Sequence, residues 1–239
     1  MIELLPGFWL SSHATLTHPW DASGYFIPGA EPTLIDCGSS LGYPALKRGL
    51  ATRGYQPKDI CTVIATHGHW DHVSAMAHLR AESDARLYIH PADRAQVETG
   101  DDDRTAAFLY GEPFPPVAVA GTLDDGATRD INGFRITVYH TPGHSPGSVC
   151  LLVERAGTVL LVAGDTLWTY GHARVGSDAD AWGRSLDTLL GLQFDLLTTG
   201  HGPPQLVTHA SEAVREARLQ FGVYYYPWFK PFYETFQYS

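Results

Sequence analysis

Residues 66–72 read THGHWDH: Thr66, His67, Gly68, His69, Trp70, Asp71 and His72. The stretch follows the apolar run ICTVIA and precedes a helical pattern over 72–82. One residue separates His67 from His69, so on an extended backbone both project to the same side. Asp71 and His72 come where the chain is expected to turn into the helix, and they face a second position close by. Four ligand-type side chains within six residues exceed what one tetrahedral ion takes when it also has ligands from elsewhere. Two adjacent divalent ions are the expected occupants.

Outward from this cluster, apolar runs alternate with turn residues. Segments 23–27, 32–38, 60–67, 86–90, 117–123, 134–143, 148–154, 158–165 and 195–201 read as strands. Helical patterns cover 41–53, 72–82, 91–98, 181–191 and 208–222, the last opening on Thr208 as N-cap. Strands and helices mix throughout without a repeat, charge block or linker, so a single layered α/β domain over 1–239 is expected. Metal-capable side chains recur at strand ends: Asp36 in LIDCGSS, the 67–72 cluster, His144 in TPGHSPGS, Asp165 in AGDTL and His201 in TGHGPP. Loops at strand ends can aim such groups at one point, and imidazole with carboxylate suits zinc, iron or manganese. A lone histidine there is ordinarily a satisfied surface or core residue. The ordered recurrence carries the metal reading.

Sixteen Lys and Arg against twenty-six Asp and Glu give a formal net charge of −10. Such a surface repels phosphate backbones, which excludes nucleic acid as a partner, while bound cations would offset part of the charge. Cys37, Cys61 and Cys150 are an odd number without a C-x-x-C pair, so no disulfide framework is expected. The opening MIELLPGFWLSSHATLTHPWD lacks a basic and then apolar leader, and no run approaches the about eighteen apolar residues of a membrane span. The expected location is cytoplasmic, away from membranes.

THGHWDH, TPGHSPGS, AGDTL and GHG, with Asp36 ahead of them, resemble the ordered motifs of the metallo-β-lactamase fold superfamily over roughly residues 20–205. The resemblance implies an αββα sandwich: two mixed β-sheets face to face, helices outside, and metals at one edge between the sheets. It implies that His67, His69 and His144 hold the first ion, that Asp71, His72 and His201 hold the second, and that Asp165 bridges both. Asp36 would support the ligands from behind by orienting an imidazole; alternatively it is a strand-end turn carboxylate.

Two ions about 3.5 to 4 Å apart acidify a water between them, giving a bridging hydroxide to attack a polarised carbonyl. Asp71 would orient that hydroxide and shuttle its proton, which makes Asp71 and Asp165 the catalytic carboxylates. Ser145 and Ser148 are read as satisfying turn hydrogen bonds. Antibiotic-degrading members of the superfamily carry a cysteine at the position of Asp165 or lack a bridging carboxylate there. Nuclease members add an arm or domain for RNA, and flavodiiron members have Glu where this chain has His69. Residues 164–204 are similar to the corresponding stretch of glyoxalase II-like thioester hydrolases and related lactonases. Only 38 residues follow His201, short of the helical domain that binds glutathione in glyoxalase II. The expected function is therefore a metal-dependent thioesterase with a small-molecule acyl substrate. Alternatives are a lactonase or carboxylic ester hydrolase, a mononuclear iron persulfide dioxygenase, and a polyketide-type thioesterase or cyclase.

Trp168, Tyr170, His172 and Arg174 follow Asp165 on what should be a loop at the metal edge and are candidate substrate contacts. Arg174 either holds a substrate anion or pairs with a surface acid. Trp70 either walls the pocket or packs under the adjacent loop. Residues 99–116 read as a surface excursion or part of a pocket. The tail, YYYPWFKPFYETFQYS at 224–239, holds nine aromatics and will not stay in water. It is expected to dock on its own domain, to cover the site as a lid, or to form a homodimer contact.

Overall fold

Buried and exposed side chains alternate along Phe134–His140 and into Val149–Arg155 in the computed structural model, which describes residues 1–168 and 171–221. Tyr170 and the tail 224–239, with the lid and dimer readings attached to it, lie outside the described residues.

Among the described residues one sheet sets seven strands side by side in chain order. They are β1 (Ile2–Leu5), β2 (Phe8–Ser12), β3 (Gly24–Ile27), β4 (Thr33–Ile35), β5 (Thr62–Ile64), β6 (Arg86–Ile89) and β7 (Gly121–Thr122). Pairing is antiparallel from β1 to β4 and parallel from β4 to β7. The second sheet holds β8 (Thr128–Ile131), β9 (Phe134–His140), β10 (Val149–Arg155), β11 (Thr158–Val162) and β12 (Leu196–Thr198). Its order is β12-β11-β10-β9-β8, with only β11 and β12 parallel.

The facing surfaces are apolar because strand residues two apart share a side. Ile136 and Val138 of β9 and Leu151 and Val153 of β10 meet Ile35 and Ile64 in one buried cluster between the sheets. The opposite faces of β4 to β6, through Leu34, Val63 and Leu87, are covered by helices α1 (Tyr43–Ala51), α3 (Met76–Glu82) and α4 (Pro91–Thr99). A short α2 (Trp70–Val73) precedes α3. On the far side α5 (Ala179–Leu190) and α6 (Ala210–Gln220) lay Trp182, Leu186 and Val214 over Cys150, Leu161 and Leu197. Helices, sheet, sheet and helices make an αββα sandwich. Each buried Leu, Ile or Val contributes about 1.5 to 3 kcal/mol to holding the layers together.

Three strands are additional to those expected from sequence. β1 lies exposed at the sheet edge, β2 (FWLSS) is buried without alternation, and β8 (TRDI) buries only Ile131. The helix expected over 72–82 is broken, because the Ala75 N–H donates to Gly38 O (3.1 Å) instead of continuing the helical ladder. α6 begins at Ala210 with His209, not Thr208, at its N-cap. All three cysteines are free. No helix among the described residues is long and apolar enough to cross a membrane.

Candidate metal centre

Strand ends of both sheets meet at one edge of the sandwich. After β4 the chain enters a left-handed turn at Asp36 (φ 52°), a conformation that Asp tolerates better than most residues. After β5 the 65–69 segment presents His67 and His69, and α2 carries Asp71 and His72. His144 sits in the turn between β9 and β10, Asp165 in a 3-10 turn (Gly164–Leu167) after β11, and His201 after β12. The C-terminal ends of parallel strands, where β4, β5, β11 and β12 deliver their residues, are a recurrent location for ligand sites in α/β folds.

Three groups of donor atoms lie within 4.8 Å of one another: His67, His69 and His144; Asp71, His72 and His201; and His67, His72 and Asp165. His69 Nδ1 is 2.9 Å from His144 Nε2, and His201 Nε2 is 3.0 Å from Asp71 Oδ2. Asp165 stands between the groups. Its Oδ2 is 3.4 Å from His144 Nε2 and 3.3 Å from His201 Nε2, while Oδ1 is 3.3 Å from His72 Nε2.

Buried polar atoms are ordinarily hydrogen-bonded. Here His67 Nε2, His72 Nε2 and Asp165 Oδ1 are buried without a hydrogen-bond partner. Unsatisfied sp² donors converging from imidazole and carboxylate fit a divalent cation. Burial and the neighbouring imidazoles push His67 and His69 well below the usual histidine range, so each ring is neutral and keeps one nitrogen free of a proton. Burial opposes ionisation of Asp165, yet His201, His72 and His144 hold it well below the carboxylate range. Burial would lower His201, and the Asp165 and Asp71 carboxylates raise it to about 9.

The supports are equally specific. Asp36 accepts from Thr66 N–H (2.8 Å), Thr66 Oγ1 (2.7 Å) and His72 Nδ1 (2.8 Å). Ser148 Oγ accepts the Ser145 N–H (3.0 Å) within the His144 turn.

The sequence profile of the metallo-beta-lactamase superfamily matches residues 19–201. The chain belongs to that superfamily. It is 32% identical over 183 residues to an uncharacterized protein of Mycobacterium leprae, covering 73% of this chain and 82% of that one. It is 28% identical over 155 residues to a Methanocaldococcus jannaschii protein named probable metallo-hydrolase, covering 65% and 71%. A solved metallo-beta-lactamase of Cronobacter sakazakii with an HARLDQ motif superposes with a TM-score of 0.70 at 25% identity, over 84% of this chain and 77% of that one.

Within this superfamily site the remaining sequence candidates are placed as follows. Trp70 is fully buried; its N–H donates to Thr105 O (2.7 Å), its indole N–H to Pro113 O (3.3 Å), and its ring stacks on Tyr110 at 4.7 Å. It packs under the 99–116 segment. Trp168 lies 5.4 Å, ring to ring, from His201. His172 accepts the Arg174 N–H through Nδ1 (3.0 Å) and caps a short 3-10 turn. Arg174 is paired with Asp103 at 2.5 Å, its guanidinium 3.9 Å over the Phe108 ring.

Two neighbours of the site were not singled out from sequence. Tyr110, from the 99–116 segment, turns its phenol toward Asp71 and Asp165; burial and those carboxylates raise its pKa, so it remains a donor. His13 accepts the Thr15 N–H at Nδ1, so Nε2 donates to Gly202 O (2.8 Å) and ties down the His201 loop. The only signal for Tyr110 was its place in the least regular segment, and His13 had none.

Proposed function

We propose that the protein is a metal-dependent hydrolase that opens an activated acyl bond, a thioester first and a lactone or carboxylic ester next. The observation supporting it is the placement of Asp165, whose two oxygens reach both donor groups within 3.4 Å. In this reading His67, His69 and His144 hold one ion, Asp71, His72 and His201 a second, and Asp165 is shared, with zinc favoured and iron or manganese as substitutes. Bound there, divalent ions supply Lewis acidity toward a carbonyl oxygen and acidify water.

The chain's own residues do the rest. Asp71 keeps Oδ2 against His201 Nε2 and uses its other oxygen to take the proton of the attacking water and return it to the departing thiol or alcohol. The Tyr110 hydroxyl faces Asp71 and helps hold that carboxylate in place. All of the side chains in these donor groups except the partly exposed His201 are almost wholly buried, so few waters compete with the substrate. No serine or cysteine nucleophile is required.

A β-lactam is also an activated acyl bond, and likeness to the Cronobacter sakazakii structure favours it as a second reading. Asp165 weighs against it, since the antibiotic-degrading members lack a bridging carboxylate at that position. The test is to quantify metal in the purified protein and then screen thioesters, lactones, esters, β-lactams and phosphodiesters with wild type and Asp165→Ala. Thioester turnover abolished by a chelator and by Asp165→Ala supports the proposal. Turnover of a phosphodiester alone, or iron-dependent oxygen uptake with a persulfide, overturns it.

A further inference from the structure

The motifs around the histidines contain residues with no assigned chemistry: Gly68 between His67 and His69, and Ser145 and Gly147 after His144. All three converge on Asp93, a fully buried carboxylate in the first turn of α4. Its Oδ2 accepts the Gly68 N–H (2.9 Å) and the Ser145 hydroxyl (2.7 Å), and its Oδ1 accepts the Gly147 N–H (2.7 Å). The glycines make this approach possible. A Cβ on Gly147 would fall 2.6 Å from Asp93 Cγ, and one on Gly68 would fall 2.6 Å from Gln96 Nε2 in the same helix.

We infer that Asp93 is the positioning residue of the three-histidine half of the centre, one carboxylate that clasps the His67–His69 segment to the His144 turn and fixes the spacing of their imidazoles. The inference rests on the metal reading of these histidines and not on any substrate. His69 and His144 come from different sheets, and their facing nitrogens are only 2.9 Å apart. Asp93 bonds to the residue before His69 and to the residue after His144. Burying a carboxylate costs several kcal/mol unless it is well hydrogen-bonded, and bonds to an ionised acceptor are about twice as strong as neutral ones. Such an anion binds the two segments rigidly and places negative charge behind the ligands of a cation. A carboxylate serving the bulk of the fold would have no reason to spend its bonds on the flanks of metal ligands alone.

The test uses the full-length protein stripped of metal and titrated with cobalt(II), read by its visible absorption and by competition with a chromophoric chelator. Asp93→Asn keeps the shape, removes the charge and turns an amide toward an N–H donor. Ser145→Ala removes one bond of the three and guards against a variant that fails to fold. Asp93→Asn is expected to weaken the tighter cobalt site by about 10- to 100-fold and to alter its absorption bands. Ser145→Ala should give a smaller shift in the same direction, and Asp93→Glu should recover part of the affinity. Wild-type affinity and an unchanged cobalt spectrum in both Asp93→Asn and Ser145→Ala overturn the inference while leaving the metal reading intact. Absence of cobalt binding by the wild type removes both.

Discussion

Asp36 Oδ2 lies 2.8 Å from His72 Nδ1, and both side chains are closed off from solvent. The contact makes Nδ1 the protonated nitrogen and leaves Nε2, 3.3 Å from Asp165 Oδ1, as the atom that could hold a cation. Asp36→Asn tolerates the same left-handed backbone but presents a neutral, weaker acceptor. Metal affinity should fall by about 10- to 100-fold with the fold intact, measured by chelator competition and circular dichroism.

Tyr110→Phe retains the ring that stacks on Trp70 and removes only the hydroxyl facing Asp71. Losing one hydrogen bond to a charged group, about 1.5 kcal/mol, should lower kcat by about tenfold and leave Tm nearly unchanged. Equal losses in kcat and Tm would show instead that the hydroxyl serves only to anchor its loop.

Gly143 adopts φ +141°, and a Cβ there would lie 2.3 Å from Trp182 Cβ and 2.6 Å from its backbone nitrogen. Gly143→Ala must therefore push the His144 turn away from α5. The expected result is a loss of about 1 to 3 kcal/mol of stability with reduced metal stoichiometry, by thermal denaturation and elemental analysis.

His90 is buried and stacked on His140 at 3.7 Å; burial first, then the His140 charge, lowers its pKa to about 4 despite Asp124 and Asp125 nearby. The unfolded chain takes that proton near the ordinary value of 6.5, so the fold gains from a neutral His90 above pH 6.5 and loses that gain as pH falls toward 4. In metal-free protein, Tm should drop over this window. His90→Asn, which keeps an acceptor for the Ala92 N–H at the start of α4, should flatten the drop. Parallel Tm curves for both proteins would contradict the assignment.

The histidines and aspartates that converge at this edge were legible because their chemistry is dense and local: four donor-type residues in 67–72, and others beside the glycines and prolines of strand-end turns. β9 and β10 were legible because their two faces meet different surroundings, which writes alternation into the chain. The edge strand β1 carries no such pattern. Tyr110, His13 and Asp93 act across long sequence separations, on Asp71, Gly202 and the His144 turn, and each is a residue type with many ordinary uses. An acid in the first turn of a helix reads as a complement to the helix dipole, so Asp93 carried no mark of its partners.

The donors are divided between the sheets, with the 67–72 cluster on one and His144, Asp165 and His201 on the other. At the far ends of the same strands Asn132, in the β8–β9 turn, donates to Glu31 O (2.7 Å) and accepts the Glu31 N–H (3.0 Å), and Arg155 donates to Pro6 O (2.8 Å), so hydrogen bonds join the two sheets there. Loading with cations would thus add a stronger rivet at the ligand rim than those hydrogen bonds make at the other. Amide deuterium uptake should slow most where β5 and β11 approach that rim, so the molecule would unzip from the opposite rim and release its ions last.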